Sequence, residues 1–224
     1  MVSVYLSKIN LKMNQKTIEK LLQFISEENR ERFHKFYFLE DSLRSLYGEI
    51  IVRHVISKQL SLKNEKIRIV KNTYGKPFIE NVPLYFNISH AGEWVACAFS
   101  DREVGIDIEH IKDIDLSIAK KYFCKNEYES LVSKNGDERI VYFYELWTLK
   151  ESYIKWLGTG MSTPLDSFRF NVTNAHILFS DMNRDVVPFF KQYPIKNYKL
   201  SVCSGTNDFP DQIMEIDIEK VILN

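Results

Sequence analysis

Cysteine is scarce in this chain. Cys97, Cys124 and Cys203 are widely spaced, odd in number and lack a Cys-x-x-Cys pair, which argues against a disulfide framework and against a thiolate zinc site. That usage fits a reducing compartment, so the expected location is the cytoplasm. Net charge is also missing. The 30 Lys and Arg are cancelled by 30 Asp and Glu, leaving no global field to draw the protein onto nucleic acid or an anionic membrane, so any polyanion site must be local. No window is long and apolar enough to span a bilayer. Residues 1–6 alternate like a strand and do not join a basic segment to an apolar run, so no signal peptide is expected. Low-complexity tracts and clear residue-level repeats are absent too. What remains, 224 residues of ordinary hydrophobic content, suffices for one large domain or two packed subdomains that bury a core without staples.

Within that chain, residues 104–109 organise the rest. Val104, Ile106 and Ile108 alternate with Gly105, Asp107 and Glu109, the period of a strand with one face in an apolar core. Asp107 and Glu109 then share the other face, about 6.6 Å apart along the strand, and their flexible ends can converge on one cation. Taken alone, such a pair is most often a solvated acidic edge. Gly105 is expected to be small because a ligand passes close to the backbone.

Apolar spacing predicts a helix over 17–25 and a second helical region from about 29 to 60, weakened at Gly48. Arg30, Arg32, His34, Lys35, Arg44 and Arg53 decorate that region, most of them as a solvated face. Residues 67–69 read as a short strand entering a turn at 72–77. Residues 84–90 and 94–99 read as a hairpin, with Ser89 and His90 at its rim where His90 can donate to an anion. Helices follow at 117–123 and from 126, the latter beginning with Glu127 in its first turn.

The helix over about 139–157 is the most informative partner for the acidic strand. Leu146, Leu149, Tyr153 and Leu157 form an apolar stripe, while Trp147, Glu151 and Lys155 recur every four residues on nearly the opposite side. By themselves Glu151 and Lys155 would make an ordinary surface pair. Gly158 suits a left-handed C-terminal cap. Beyond it, 168–172, 176–179, 186–190 and 198–203 are short strand candidates that carry no chemical constellation.

Together, Val104-Gly-Ile-Asp-Ile-Glu109, Glu127 and Trp147-Thr-Leu-Lys-Glu-Ser-Tyr-Ile-Lys155 resemble, in order and spacing, the 4′-phosphopantetheinyl transferase superfamily. Tyr-Gly-Lys-Pro at 74–77, Asn-Ile-Ser-His at 87–90 and the basic helix near 30–45 look like its surfactin-synthetase-activating, Sfp-type members. The resemblance covers most of the chain through Phe168 and weakens in the last strands. It implies an α+β fold of two similar subdomains, about 1–104 and 105–224, related by a pseudo-twofold axis with the ligand cleft between them. It also implies transfer of the phosphopantetheine arm of coenzyme A to a serine of an apo carrier protein, with release of 3′,5′-ADP. Carriers of fatty-acid, polyketide or nonribosomal peptide synthesis fit equally.

By the same resemblance Asp107, Glu109 and Glu151 hold Mg²⁺, a hard cation that prefers oxygen ligands and usually also touches phosphate. Lys155 offers a point charge to a phosphate oxygen or to the leaving group. The general base is Glu151, Glu127 or a metal-bound water, of which Glu151 is favoured. Tyr74, Gly75, Lys76 and Pro77 border the adenine, and Arg32, Ser45, Ser89 and His90 hold the 3′-phosphate. Asn29 stands where related members often have Lys, which weakens that clamp or leaves Arg30 to compensate. Apolar groups exposed near 112–123 would be docking ground for a carrier helix, and an internal pseudo-dimer favours a monomer. Two other classes of function compete with this reading. A Mg²⁺-dependent phosphodiester hydrolase with two metals would want more carboxylates than these three. A silent nucleotide- or carrier-binding module would be expected to have lost one of them.

Overall fold

A strand, a run of helices and a returning hairpin are laid down twice along the chain. The computed structural model describes residues 1–173, 176–181 and 187–223. Its first half contains β1 (Ser3–Lys8), α1 (Gln15–Leu22), α2 (Glu27–Phe33), α3 (Leu39–Leu60), β2 (Ile69–Lys71), β3 (Pro77–Ile79), β4 (Tyr85–Ala91) and β5 (Trp94–Ser100). The second contains β6 (Val104–His110), α4 (Ser117–Tyr122), α5 (Lys125–Val132), α6 (Gly136–Leu157), β7 (Phe168–Val172), β8 (Ile177–Asp181), β9 (Phe189–Ile195) and β10 (Tyr198–Ser204). Two short elements end the chain, β11 (Met214–Glu215) and α7 (Ile218–Leu223).

The wiring repeats. One sheet runs β11-β1-β5-β4 and the other β6-β10-β9, so in both the opening strand pairs with the second strand of the later hairpin. Each sheet carries one 22-residue helix, α3 or α6, ended by a left-handed residue, Ser61 or Gly158. This is the α+β arrangement of two similar subdomains that the family resemblance implies.

Period-two alternation stacks the molecule in four layers. Val95, Cys97 and Phe99 of β5 point to α3 in one core. Val4, Leu6, Ala96 and Ala98 meet Ile106, Ile108, Leu200 and Val202 between the sheets. Leu146, Leu149 and Tyr153 of α6 close a third core with Phe168 and Cys203. All three cysteines are free thiols.

At the seam, side chains replace a backbone ladder. Asn87 Oδ1 of β4 accepts the Ile106 N–H at 2.9 Å, and Ser89 Oγ accepts the Ile108 N–H at 3.3 Å. Chain return also crosses it: β11 pairs parallel with β1, and Ile218 of α7 is buried in the first core.

Several expectations needed correction. The helical region drawn from 29 to 60 is two helices, broken at residues 34–38 where Phe38 is extended. No residue of α2 is fully buried, so packing does not hold it in line with α3. Gly48 is no weak point either. It lies in mid-α3 because a Cβ would meet Ile88 Cγ2 of β4 at 3.1 Å. The first helix stops at Leu22, short of 25. Of the strand drawn at 186–190, Val186 lies outside the described residues, and β9 begins at Phe189.

Gly105 is small for a different reason from the one expected. An added Cβ would collide with the Ser152 carbonyl and the Trp156 N–H of α6. The close neighbour is the helix, and that approach seats α6 on β6.

Candidate functional site

The seating of α6 brings the acidic strand under Glu151 and Lys155. Asp107, 3% exposed, accepts Ser89 Oγ at 2.9 Å and Lys155 Nζ at 2.6 Å on Oδ1. Lys155 Nζ also donates to Ser89 Oγ at 3.0 Å. The other oxygen, Asp107 Oδ2, is buried with no hydrogen-bond partner. Glu109 and Glu151 are half-buried beside it. Burial, then the charge of Asp107, and to a lesser degree Glu151, push the Glu109 carboxyl up to about 7 against the pull of Lys155 and Lys112. Burial and Asp107 raise Glu151 likewise, with Lys155 opposing. The three expected metal ligands therefore press on one another's charge. Among the described residues, however, no three acidic, His or Cys side chains already converge in metal-holding geometry.

The residues fit a hard cation all the same. A buried carboxylate oxygen without a donor is costly to leave unpaired. Two further half-buried carboxylates, Glu109 and Glu151, feel its charge, and an all-oxygen donor set suits Mg²⁺.

Ser89 and His90 are neighbours on β4, so their side chains leave opposite faces. Ser89 serves Asp107, and His90 faces the other way into a cavity of about 280 Å³. Arg32, Ser45 and Pro77 line that cavity with His90, as do Arg44 and Phe36. Thus four of the expected coenzyme A residues meet there, and Ser89 does not. Its hydroxyl is consumed by the acidic cluster and by β6.

Arg44 is not the solvated face charge expected of it. The structure places it in the cavity wall, held by Asp41 at 2.6 Å and by the Gly92 carbonyl at 2.7 Å. Burial of part of the ring, then the charges of Arg44 and Lys155, hold the His90 imidazole below its ordinary value, although the residue is partly open to solvent. Asn29 also lines the cavity, where its amide donates to Glu49 Oε2 at 2.6 Å. That bond joins α2 to α3, and Glu49 in turn holds Arg53 at 2.6 Å.

The turn between β2 and β3 carries Tyr74, Gly75 and Lys76. The Tyr74 ring is exposed and Gly75 has φ +88°. Lys76 Nζ points across the seam, pairing with Glu103 at 2.7 Å and donating to the carbonyls of Val104 and Trp156. Asn72 Nδ2 adds a bond to the Gly158 carbonyl. This turn clamps the end of α6 onto the first half.

Glu127 is not gathered into the acidic cluster. It is buried against Lys150, whose Nζ lies 2.8 Å away and also donates to the carbonyls of Leu165 and Phe168. Glu127 itself accepts the backbone N–H groups of Cys124 and Phe170. Its oxygens are committed to holding α5, α6 and β7 together. Nothing in the sequence linked it to a lysine 23 positions away.

At 112–123, Ile114, Leu116, Ile118 and Tyr122 are half-covered against the second core. The exposed residues there are Lys112, Asp113, Asp115, Ser117, Lys120 and Lys121.

Comparison with known proteins identifies the family. Residues 103–203 match the profile described as the 4′-phosphopantetheinyl transferase superfamily, and residues 12–102 match that of the 4′-phosphopantetheinyl transferase N-terminal region. The 4′-phosphopantetheinyl transferase Sfp of Bacillus subtilis (strain 168) is 42% identical over 94% of this chain and 95% of its own. The 4′-phosphopantetheinyl transferase gsp of Aneurinibacillus migulanus is 37% identical, over 91% and 86% respectively. HetI of Nostoc sp. is 30% identical over 71% of this chain and 70% of its own. The chain belongs to the 4′-phosphopantetheinyl transferase superfamily, on its Sfp-type branch, and is an enzyme of that kind.

Proposed function

We propose that this enzyme moves the phosphopantetheine arm of coenzyme A onto a serine hydroxyl of an apo carrier protein. The serine oxygen bonds to the phosphorus that carries pantetheine, the bridging pyrophosphate bond breaks, and 3′,5′-ADP leaves. The observation that carries this reading is that β4 feeds two sites from adjacent positions, Ser89 into an acidic cluster and His90 into a basic cavity.

Coenzyme A lies across the seam, dividing its contacts between a first subdomain of residues 1–104 completed by the returning β11 and α7, and a second that ends with β10. Arg32, Arg44, Ser45 and His90 take the 3′-phosphate through charge-assisted bonds. Tyr74, Gly75, Lys76 and Pro77 border the adenine through the backbone of their turn and the ring of Tyr74. Asp107, Glu109 and Glu151 hold Mg²⁺, which when bound neutralises charge on the pyrophosphate.

Lys155, half-buried and so poorly screened, presents its ammonium to the departing phosphate. Glu151, raised in proton affinity by burial and by Asp107, takes the serine proton. Glu127 has no free oxygen for that task. The carrier docks over 112–123, where charges surround half-covered apolar groups, and the enzyme works as a cytoplasmic monomer.

The test mixes the protein with coenzyme A, Mg²⁺ and a panel of apo carriers and weighs the carriers by mass spectrometry. A gain of one phosphopantetheine is expected. Consumption of coenzyme A with no gain on any carrier would favour a hydrolase instead.

A further inference from the structure

Three rows of contacts align α6 with the strands beneath it. The Ser152 carbonyl and Trp156 N–H rest on Gly105. Thr148 Oγ1 meets Ser201 Oγ at 2.7 Å, and Ser201 is the ladder partner of Asp107. Glu145 holds Lys199 at 2.7 Å, and Lys199 is the ladder partner of Glu109. Helix and strand therefore run in opposite directions, and each pair of strand residues is matched by about one helical turn. The turn containing residues 144 and 145 consequently lies over the Glu109 row. Glu145 takes Lys199, and its neighbour Tyr144 falls on the Glu109 side.

Tyr144 is 3% exposed, and its hydroxyl is buried with no hydrogen-bond partner. The charges that bear on it are those of Glu109 and then Asp113, and the Lys112 N–H lies near without completing a bond. A phenylalanine would fill the same space without an unpaired hydroxyl, so the oxygen calls for a role.

We propose that Tyr144 is a positioning residue of the acidic cluster, its hydroxyl donating to the Glu109 carboxylate and fixing that carboxylate toward the bound cation. This rests on the acidic cluster being the cation site. Metal-ligating side chains are commonly held by such outer hydrogen bonds, which set their orientation. Ser89 already does this for Asp107. With a cation bound, Tyr144 would do it for Glu109, which has no such partner from β4. The hydroxyl also stands at the start of the segment after β6, beside Lys112.

The test uses the full chain with coenzyme A bound, titrated with Mn²⁺ and followed by electron paramagnetic resonance. Tyr144→Phe should weaken Mn²⁺ binding about tenfold, while coenzyme A affinity in EDTA and the melting temperature hold. Transfer by this variant should recover with excess Mg²⁺, with KM for coenzyme A unchanged. Parent-like Mn²⁺ affinity in Tyr144→Phe, with Asp107→Ala having lost it, overturns the proposal alone. If Asp107→Ala also binds Mn²⁺ like the parent, the cation-site assignment falls and this inference falls with it. A loss of Mn²⁺ affinity accompanied by a lowered melt or weaker coenzyme A binding would make Tyr144 a packing residue and overturn it too.

Discussion

Asp107 concentrates the cost of the site in one side chain. It is buried with one oxygen bonded and the other bare, and the bare oxygen costs stability. Asp107→Asn should therefore abolish transfer while the thermal melt stays level or rises, since an amide is cheaper to bury than a carboxylate. A clear fall in melting temperature would show that Asp107 is structural. His90 gives a second prediction. Its imidazole is held below the ordinary value, so near neutral pH it is uncharged and adds little to anion binding. A bound phosphate favours the protonated ring. Affinity for 3′,5′-ADP should thus tighten as pH falls from about 8 to about 6, and His90→Asn should flatten that slope in calorimetric titrations. The same depression means native stability that is present above the unfolded value of about 6.5 declines as pH falls below it. Arg44 and Tyr144 were not legible in the sequence. One read as a face charge, and the other sat unremarked in a run of apolar helix residues.

Elements with strong periodicity could be read directly. Alternation marked β6, and recurrence every four residues marked Glu151 and Lys155 on α6. The α2–α3 break escaped because Phe33, Phe36 and Tyr37 keep a helical phase although the chain has left the helix; Tyr37 is 92% exposed. Glu127 was misplaced for a related reason: a lone acid shows no partner until the fold brings α5 beside α6. Its pair with Lys150 is nearly closed to solvent, with side chains 1% and 0% exposed, and burial lowers the Lys150 ammonium while Glu127 pulls it back up. Breaking such a pair leaves an uncompensated buried charge and costs about 3–5 kcal/mol. Lys150→Met should lose that much stability in urea melts, with activity falling as the protein unfolds. The double variant Glu127→Met with Lys150→Met should recover most of it. If the double variant folds well yet transfers nothing, Glu127 has a chemical role after all.

At the scale of the molecule, the chain's last elements belong to its first half. β11 pairs with β1, the Ile216 N–H donates to the Leu6 carbonyl at 2.9 Å, and Ile218 is buried in the first core. Two residues of strand gave no alternation to read, so this return was invisible in the sequence. Removing 214–224 should bare one edge of the first sheet and lower the melting temperature by several degrees, about 4 °C or more for each 2 kcal/mol at this size. An unchanged melt would mean that the return adds nothing.

Gly105 also has a metrical consequence. Two strand residues advance about 6.6 Å and four helical residues about 6 Å, so α6 and β6 slip by about 0.6 Å at each row counted from their contact at Gly105. The mismatch therefore reaches only about 1.2 Å by the row of 109. Helix and strand side chains can thus reach one ion over those rows, as Lys155 reaches Asp107. β6 itself ends at His110, so a site moved two residues further along would lose its second strand position.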